Sequence, residues 1–172
     1  MVAALSLVVV LGLIALLVAL SHNRFTAQHT VVERMWRQVD VELQRRHDLI
    51  GGLVAVTKAG GVNVSKIVQA RSQAMASRGA GPVAQGRAEQ VLNEELTSFL
   101  AGVPAGLRAD RDFGLLWEQM GESDERVAAE SRSYNNSVHA LNNRIVAFPT
   151  NIVAVATKVG RGQYFLPGGR TR

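Results

Sequence analysis

A chain of 172 residues with a formal net charge of +5 has room for one ordinary domain and a membrane segment. It contains no cysteine, which excludes disulfide frameworks, thiolate metal sites, cysteine nucleophiles and a lipidated N-terminal cysteine. The basic balance points to an anionic membrane surface or, as the minor reading, to nucleic acid.

From Val2 to Leu20 every residue is apolar or small. As a helix, that run is long enough to cross a hydrocarbon core of about 30 Å. Ala19-Leu20-Ser21 could pass for a processing site, but a signal peptide has a basic start and an apolar core of about 7–15 residues, and this run is longer and lacks the basic start. Residues 1–21 are therefore expected to be an anchor. Arg24, Arg34 and Arg37 follow the run, against no Lys or Arg before it. That asymmetry favours an outside N-terminus and a cytoplasmic soluble part, with Glu33 weakening the bias.

The remainder reads as helix, because no stretch sustains the two-residue alternation of a strand. Val32, Trp36, Val39, Leu43, Arg46, Ile50 and Leu53 recur at steps of four and three, the stripe of a helix packed at coiled-coil-like angles. Ala59-Gly60-Gly61 ends that helix, Asn63 can cap a second, and Arg78-Gly79-Ala80-Gly81-Pro82 is a loop leading to a third over 83–101. Gly102-Val103-Pro104-Ala105-Gly106 interrupts the pattern. Asp110 or Asp112 can cap the last long helix, which carries Phe113, Leu116, Trp117 and Met120 and then the stripe Val127, Ser131, Tyr134, Val138, Leu141, Ile145 and Phe148, and ends at Pro149.

At 1.5 Å per residue, His22 to Ala59 and Asp110 to Phe148 each measure about 57 Å and match as antiparallel neighbours. The fold expected is all-α, an N-terminal transmembrane helix continuing into an elongated antiparallel bundle of about four helices over 22–159. The two middle helices are too short to cover the membrane-proximal half of the long pair. A short helix over 151–157, folded back on the first, is expected to cover it. Residues 160–172 are expected to be a flexible basic tail. Lys158, Arg161, Tyr164, Phe165, Arg170 and Arg172 would meet the membrane interface, with plain disorder as the alternative because of Gly160, Gly162, Gly168 and Gly169.

Candidate chemistry is sparse. His22, His29, His47 and His139 are too dispersed to ligate a metal together and are expected to be solvent-exposed. Glu94, Glu95, Glu118, Glu122, Asp124 and Glu125 read as a solvated acidic face. No G-x-S-x-G and no phosphate-binding glycine loop occurs. The polar members of the stripes stand out instead: Arg46 at a core-spaced position, Asp40 and Asp48 near it, and Tyr134, Asn135 and Asn142 on the last helix. A buried charge must be paired, so a hydrogen-bonded ladder across the two long helices is expected to fix their register. A ligand or ion site at the same place is the sharper alternative.

Met35-Trp36-Arg37-Gln38-Val39-Asp40-Val41-Glu42-Leu43-Gln44-Arg45-Arg46-His47-Asp48-Leu49-Ile50 resembles the signature block of the LemA family, roughly A-W-x-x-V-D-V-x-L-x-R-R-x-D-L-I. Arg132-Ser133-Tyr134-Asn135-Asn136-Ser137-Val138, Asn142 and Phe148-Pro149-Thr150-Asn151 are similar to its R-x-Y-N-x-x-V, N and F-P-x-N positions. On this resemblance Trp36, Asp40, Arg45, Arg46, Asp48, Arg132, Tyr134, Asn135, Asn142 and Pro149 are the motif and ladder residues. Gly51-Gly52, Gly61-Val62-Asn63 and Val103-Pro104-Ala105-Gly106 depart from the family's pattern, and all are expected at helix ends and turns. The resemblance implies a bacterial protein with a single transmembrane helix and an elongated helical bundle, and it offers no catalytic residues to carry over. A non-enzymatic scaffold or adaptor is expected, without cofactor or metal. Its expected partners are the lipid bilayer and a protein, a second copy included; neither nucleic acid nor a small-molecule substrate is expected. A lipid-binding or membrane-remodelling module is the alternative.

Overall fold

The computed structural model describes residues 1–168, the side chains at positions 2–4, 10 and 14 excepted. It is all-α: among the described residues there are six helices and no strand. These are α1 (Val2–Ala59), α2 (Ser65–Ala76), α3 (Pro82–Ala101), the single turn α4 (Ala105–Arg108), α5 (Arg111–Val146) and α6 (Thr150–Ala156). The apolar run and the first stripe thus form one uninterrupted helix. Residues Leu5–Ala59 of α1 contain a window long and apolar enough to cross a membrane.

Local chemistry sets the boundaries. Asp110 caps α5: its Oδ1 accepts the backbone N–H groups of Asp112 (2.9 Å) and Phe113 (3.1 Å), satisfying two donors that a helix start leaves without partners. Pro82 begins α3, where its missing N–H costs nothing. Asn63 accepts the amide of Ser65 at the head of α2. Gly51 and Gly52 do not lie at a helix end, as the sequence reading held, but inside α1. A Cβ on Gly52 would come within 3.1 Å of the Leu116 side chain, and one on Gly51 within 3.2 Å of the Arg71 guanidinium. Small residues there leave room for these neighbouring side chains, at a cost of roughly 1 kcal/mol each in helix propensity.

The chain divides into two compact units, and α1 and α5 contribute to both. The larger comprises Met35–Asn135 and the segment from Gln163 onward. Its core joins Ile50 and Leu53 of α1, Ile67, Ala70 and Ala74 of α2, Leu92, Leu96 and Phe99 of α3, and Phe113 and Met120 of α5. The smaller comprises Met1–Arg34 and Asn136–Gly162. There Phe25 of α1 packs with Leu141 of α5 and with Val153 and Ala154 of α6. The short helix expected over 151–157 is α6, and its buried side faces α1 and α5 residues of this unit.

Candidate functional site

Arg46 lies on the buried side of α1 and is 5% exposed. Its Nε donates to Asp124 Oδ1 (2.8 Å), its Nη1 to Glu89 Oε2 (3.1 Å) and its Nη2 to Asn93 Oδ1. Glu89 is 1% exposed. Its second oxygen takes His47 Nε2 (2.8 Å) and Gln85 Nε2 (2.8 Å), and Gln85 Nε2 also reaches the Ala74 carbonyl (3.1 Å). Both oxygens of the buried carboxylate are therefore occupied, and the guanidinium meets two acids and an amide.

This differs from the expected ladder in its partners. Arg46 pairs with α3 and with Asp124 of α5, and not with Tyr134, Asn135 or Asn142. Asp124, expected on a solvated face, is part of the cluster. His47, expected to be exposed, is fully buried. The physical reason is the face of α3: Gln85, Glu89, Leu92, Leu96 and Phe99 are all buried at four-three steps. Its first two members are polar, and they force charge on α1 to turn toward them. Among the described residues no group of three or more His, Asp and Glu side chains could hold a metal ion.

The other motif residues separate into two surroundings. Asp40 takes both Nε (3.0 Å) and Nη2 (2.7 Å) of Arg78, whose Nη1 donates to Gln44 (2.6 Å). The hydrogen bond that Arg78 donates to the Asp40 carboxylate raises the Arg78 pKa above its ordinary value. Asp48 accepts from Gln44 (3.0 Å) and lies 3.8 Å from Arg71. Arg45 and Arg132 are exposed, outside the cluster.

Tyr134 and Asn135 hold the segment after Gln163. The Tyr134 hydroxyl donates to the Gln163 carbonyl (2.7 Å). The Asn135 amide pairs both ways with Phe165, donating to its carbonyl (2.8 Å) and accepting its N–H (2.9 Å). Asn93, its oxygen held by Arg46, donates to the Gly168 carbonyl (2.7 Å). Phe165 is fully buried, its ring 5.3 Å from that of Trp36, which in turn lies 5.2 Å from Tyr134. Gly86 of α3 lets this backbone approach: a Cβ there would stand 3.0 Å from the Leu166 carbonyl oxygen. Within the smaller unit Asn142 makes the same two-way pairing with Gly162, at 3.0 and 2.9 Å.

The expectation of a flexible tail, and of Phe165 at the membrane interface, is thus corrected over the described residues. Residues 162–168 are pinned by side-chain amides, and Phe165 lies in a core. Lys158, Arg161 and Tyr164 are exposed, Pro149 stands at the head of α6, and Arg170 and Arg172 lie outside the described residues. Sequence reasoning missed Gln85, Glu89, Asn93 and His47. The four-three spacing of the α3 stripe was the available signal for the first two.

Burial pushes the Tyr134 pKa up to about 12. The neutral phenol is favoured in the folded state, so above the ordinary pKa of about 10 the unfolded chain releases the proton first. Stability is expected to be intact below pH ~10 and to fall as pH rises toward about 12. Tyr134→Phe should flatten that part of the profile in alkaline unfolding titrations, and an unchanged slope would show that Tyr134 does not contribute to it.

No curated protein matches this chain. A model of the LemA family matches residues 35–170, a span that begins one residue before Trp36 and takes in the Arg46 cluster, both asparagine clasps and the segment they hold. The chain belongs to the LemA family.

Proposed function

We propose that this protein is a single-pass anchor and helical scaffold, or adaptor, of a bacterial cell membrane. Its N-terminus lies outside and its helical part in the cytoplasm, where it engages protein partners without catalysis or cofactor. The observation that carries this reading is α1. One helix bears exposed Leu5, Leu11, Leu16 and Leu20 and, further along, the fully buried Val39, Ile50 and Leu53. An exposed apolar run of that length is costly in water and favourable in lipid. The buried polar groups support a non-enzymatic role, since Arg46 and Glu89 spend their hydrogen bonds on one another and on neighbouring helices.

The test combines three readings on native membranes. The full chain should stay with the membrane in carbonate. Ala80→Cys, at an exposed loop position in a cysteine-free chain, should react with an impermeant maleimide only after the cells are opened. Crosslinking followed by mass spectrometry should recover a recurring protein partner. Release by carbonate would refute the anchor, labelling of intact cells would reverse the orientation, and recovery of lipid alone would refute the adaptor. One further observation favours a lipid-contacting role as well, the exposed apolar residues around α6.

A further inference from the structure

The two sides of α6 differ. Val153 and Ala154 are buried against Phe25 and Leu141, whereas Ile152 and Val155 are 62% and 80% exposed. The turn before the helix adds Phe148, 82% exposed, and Val146. Four large apolar side chains within ten residues of the smaller unit, around the turn from α5 into α6, are therefore exposed to solvent. Isolated exposed apolar residues are ordinary, but a group of this kind marks a surface that binds something.

Its place on α1 identifies what. Phe25, on which α6 packs, is five residues beyond Leu20, the last exposed residue of the apolar run. Five helical residues rise only about 7.5 Å, comparable to the depth of about 5–10 Å at which an interfacial helix lies. Exposed Arg24 adjoins Phe25 in sequence, and exposed Lys158 follows the end of α6, so cations flank the apolar group as anionic headgroups require.

We propose that the α5–α6 corner, Val146, Phe148, Ile152 and Val155, is a second membrane contact: it seats at the headgroup–acyl boundary of an anionic bilayer beside the anchor. The inference rests on the reading of α1 as a membrane span. It assigns to α6 a double role, holding α1 with one side and lipid with the other. A transmembrane helix alone leaves its attached domain free to tilt and spin, and a second contact one and a half turns away removes much of that freedom.

The experiment uses the full chain in nanodiscs of phosphatidylcholine and phosphatidylglycerol, containing in separate samples a headgroup-region nitroxide lipid, which reads the α5–α6 labels, and an acyl-chain nitroxide lipid, which reads the anchor label. Ile152→Cys, Val155→Cys and Phe148→Cys, each carrying an environment-sensitive fluorophore, are compared with Leu13→Cys in the anchor and with Val68→Cys on α2. These sites are exposed, so the labels leave the cores intact, and circular dichroism checks each variant. The α6 labels should be quenched roughly threefold more than the Val68 label, as befits groups at interfacial depth. Quenching at Leu13 with α6 labels no different from Val68 would overturn the proposal and leave the anchor standing. Absence of quenching at Leu13 would overturn both.

Discussion

Arg46→Met is expected to destabilise the full chain in detergent by about 3–5 kcal/mol, the usual consequence of removing one partner from a buried ion pair. The cause lies in what remains. Glu89 keeps a carboxylate that is 1% exposed with no guanidinium beside it, and Asn93 Oδ1 loses the donor that orients its amide. Replacing the pair together, Arg46→Met with Glu89→Leu, should recover only part of the loss, because the apolar pair carries no desolvation penalty but leaves the buried His47 Nε2 without its acceptor. The surface pair Arg78 and Asp40 provides the contrast. Both are substantially solvated, and Arg78→Ala should cost only about 0.2–1 kcal/mol. Denaturant midpoints that place Arg46→Met no lower than Arg78→Ala would show that the cluster is hydrated and the pairing incidental.

Phe165→Ala is expected to cost a similar amount, about 3–5 kcal/mol, as large-to-small changes at fully buried aromatics do. The ring is fully buried and lies edge-on to Trp36 at 5.3 Å. Its loss should also free the segment that Asn135 holds, so hydrogen exchange at the Phe165 N–H and proteolysis near Gln163 should both quicken. Leu166→Ala, at a position 74% exposed, should stay within about 0.5 kcal/mol of the parent. Equal effects from the two substitutions would contradict the burial of Phe165.

These two sites also mark where sequence reading succeeds and where it stops. The all-helical class, the end of α1 and the Asp110 cap follow from periodicity and capping chemistry, which act over three or four residues, whereas α5 stops at Val146 and leaves Phe148, the last member of its stripe, exposed in the turn. The identity of Arg46 as a buried charge was legible for the same reason, since its stripe neighbours are apolar. Its partners were not, because pairing depends on which face of α3 turns inward. Asn135 and Asn142 are seven residues apart, a spacing that puts both on one face of the last helix. Their partners were assigned to the wrong element, because a side-chain amide that pairs both ways with a backbone suits an extended segment better than a helix, whose own N–H and C=O groups are already used.

Asn93 belongs to two assemblies at once. One end of its amide is held by Arg46, and the other holds the Gly168 carbonyl. Linkage then runs in both directions with equal magnitude. Any molecule that captures residues 163–168 from outside must undo the Gly168 contact and so leaves the guanidinium with a less constrained amide. Conversely, a change that slackens the Arg46 cluster lowers the free energy needed to draw that segment out, and raises by the same factor the affinity of whatever captures it.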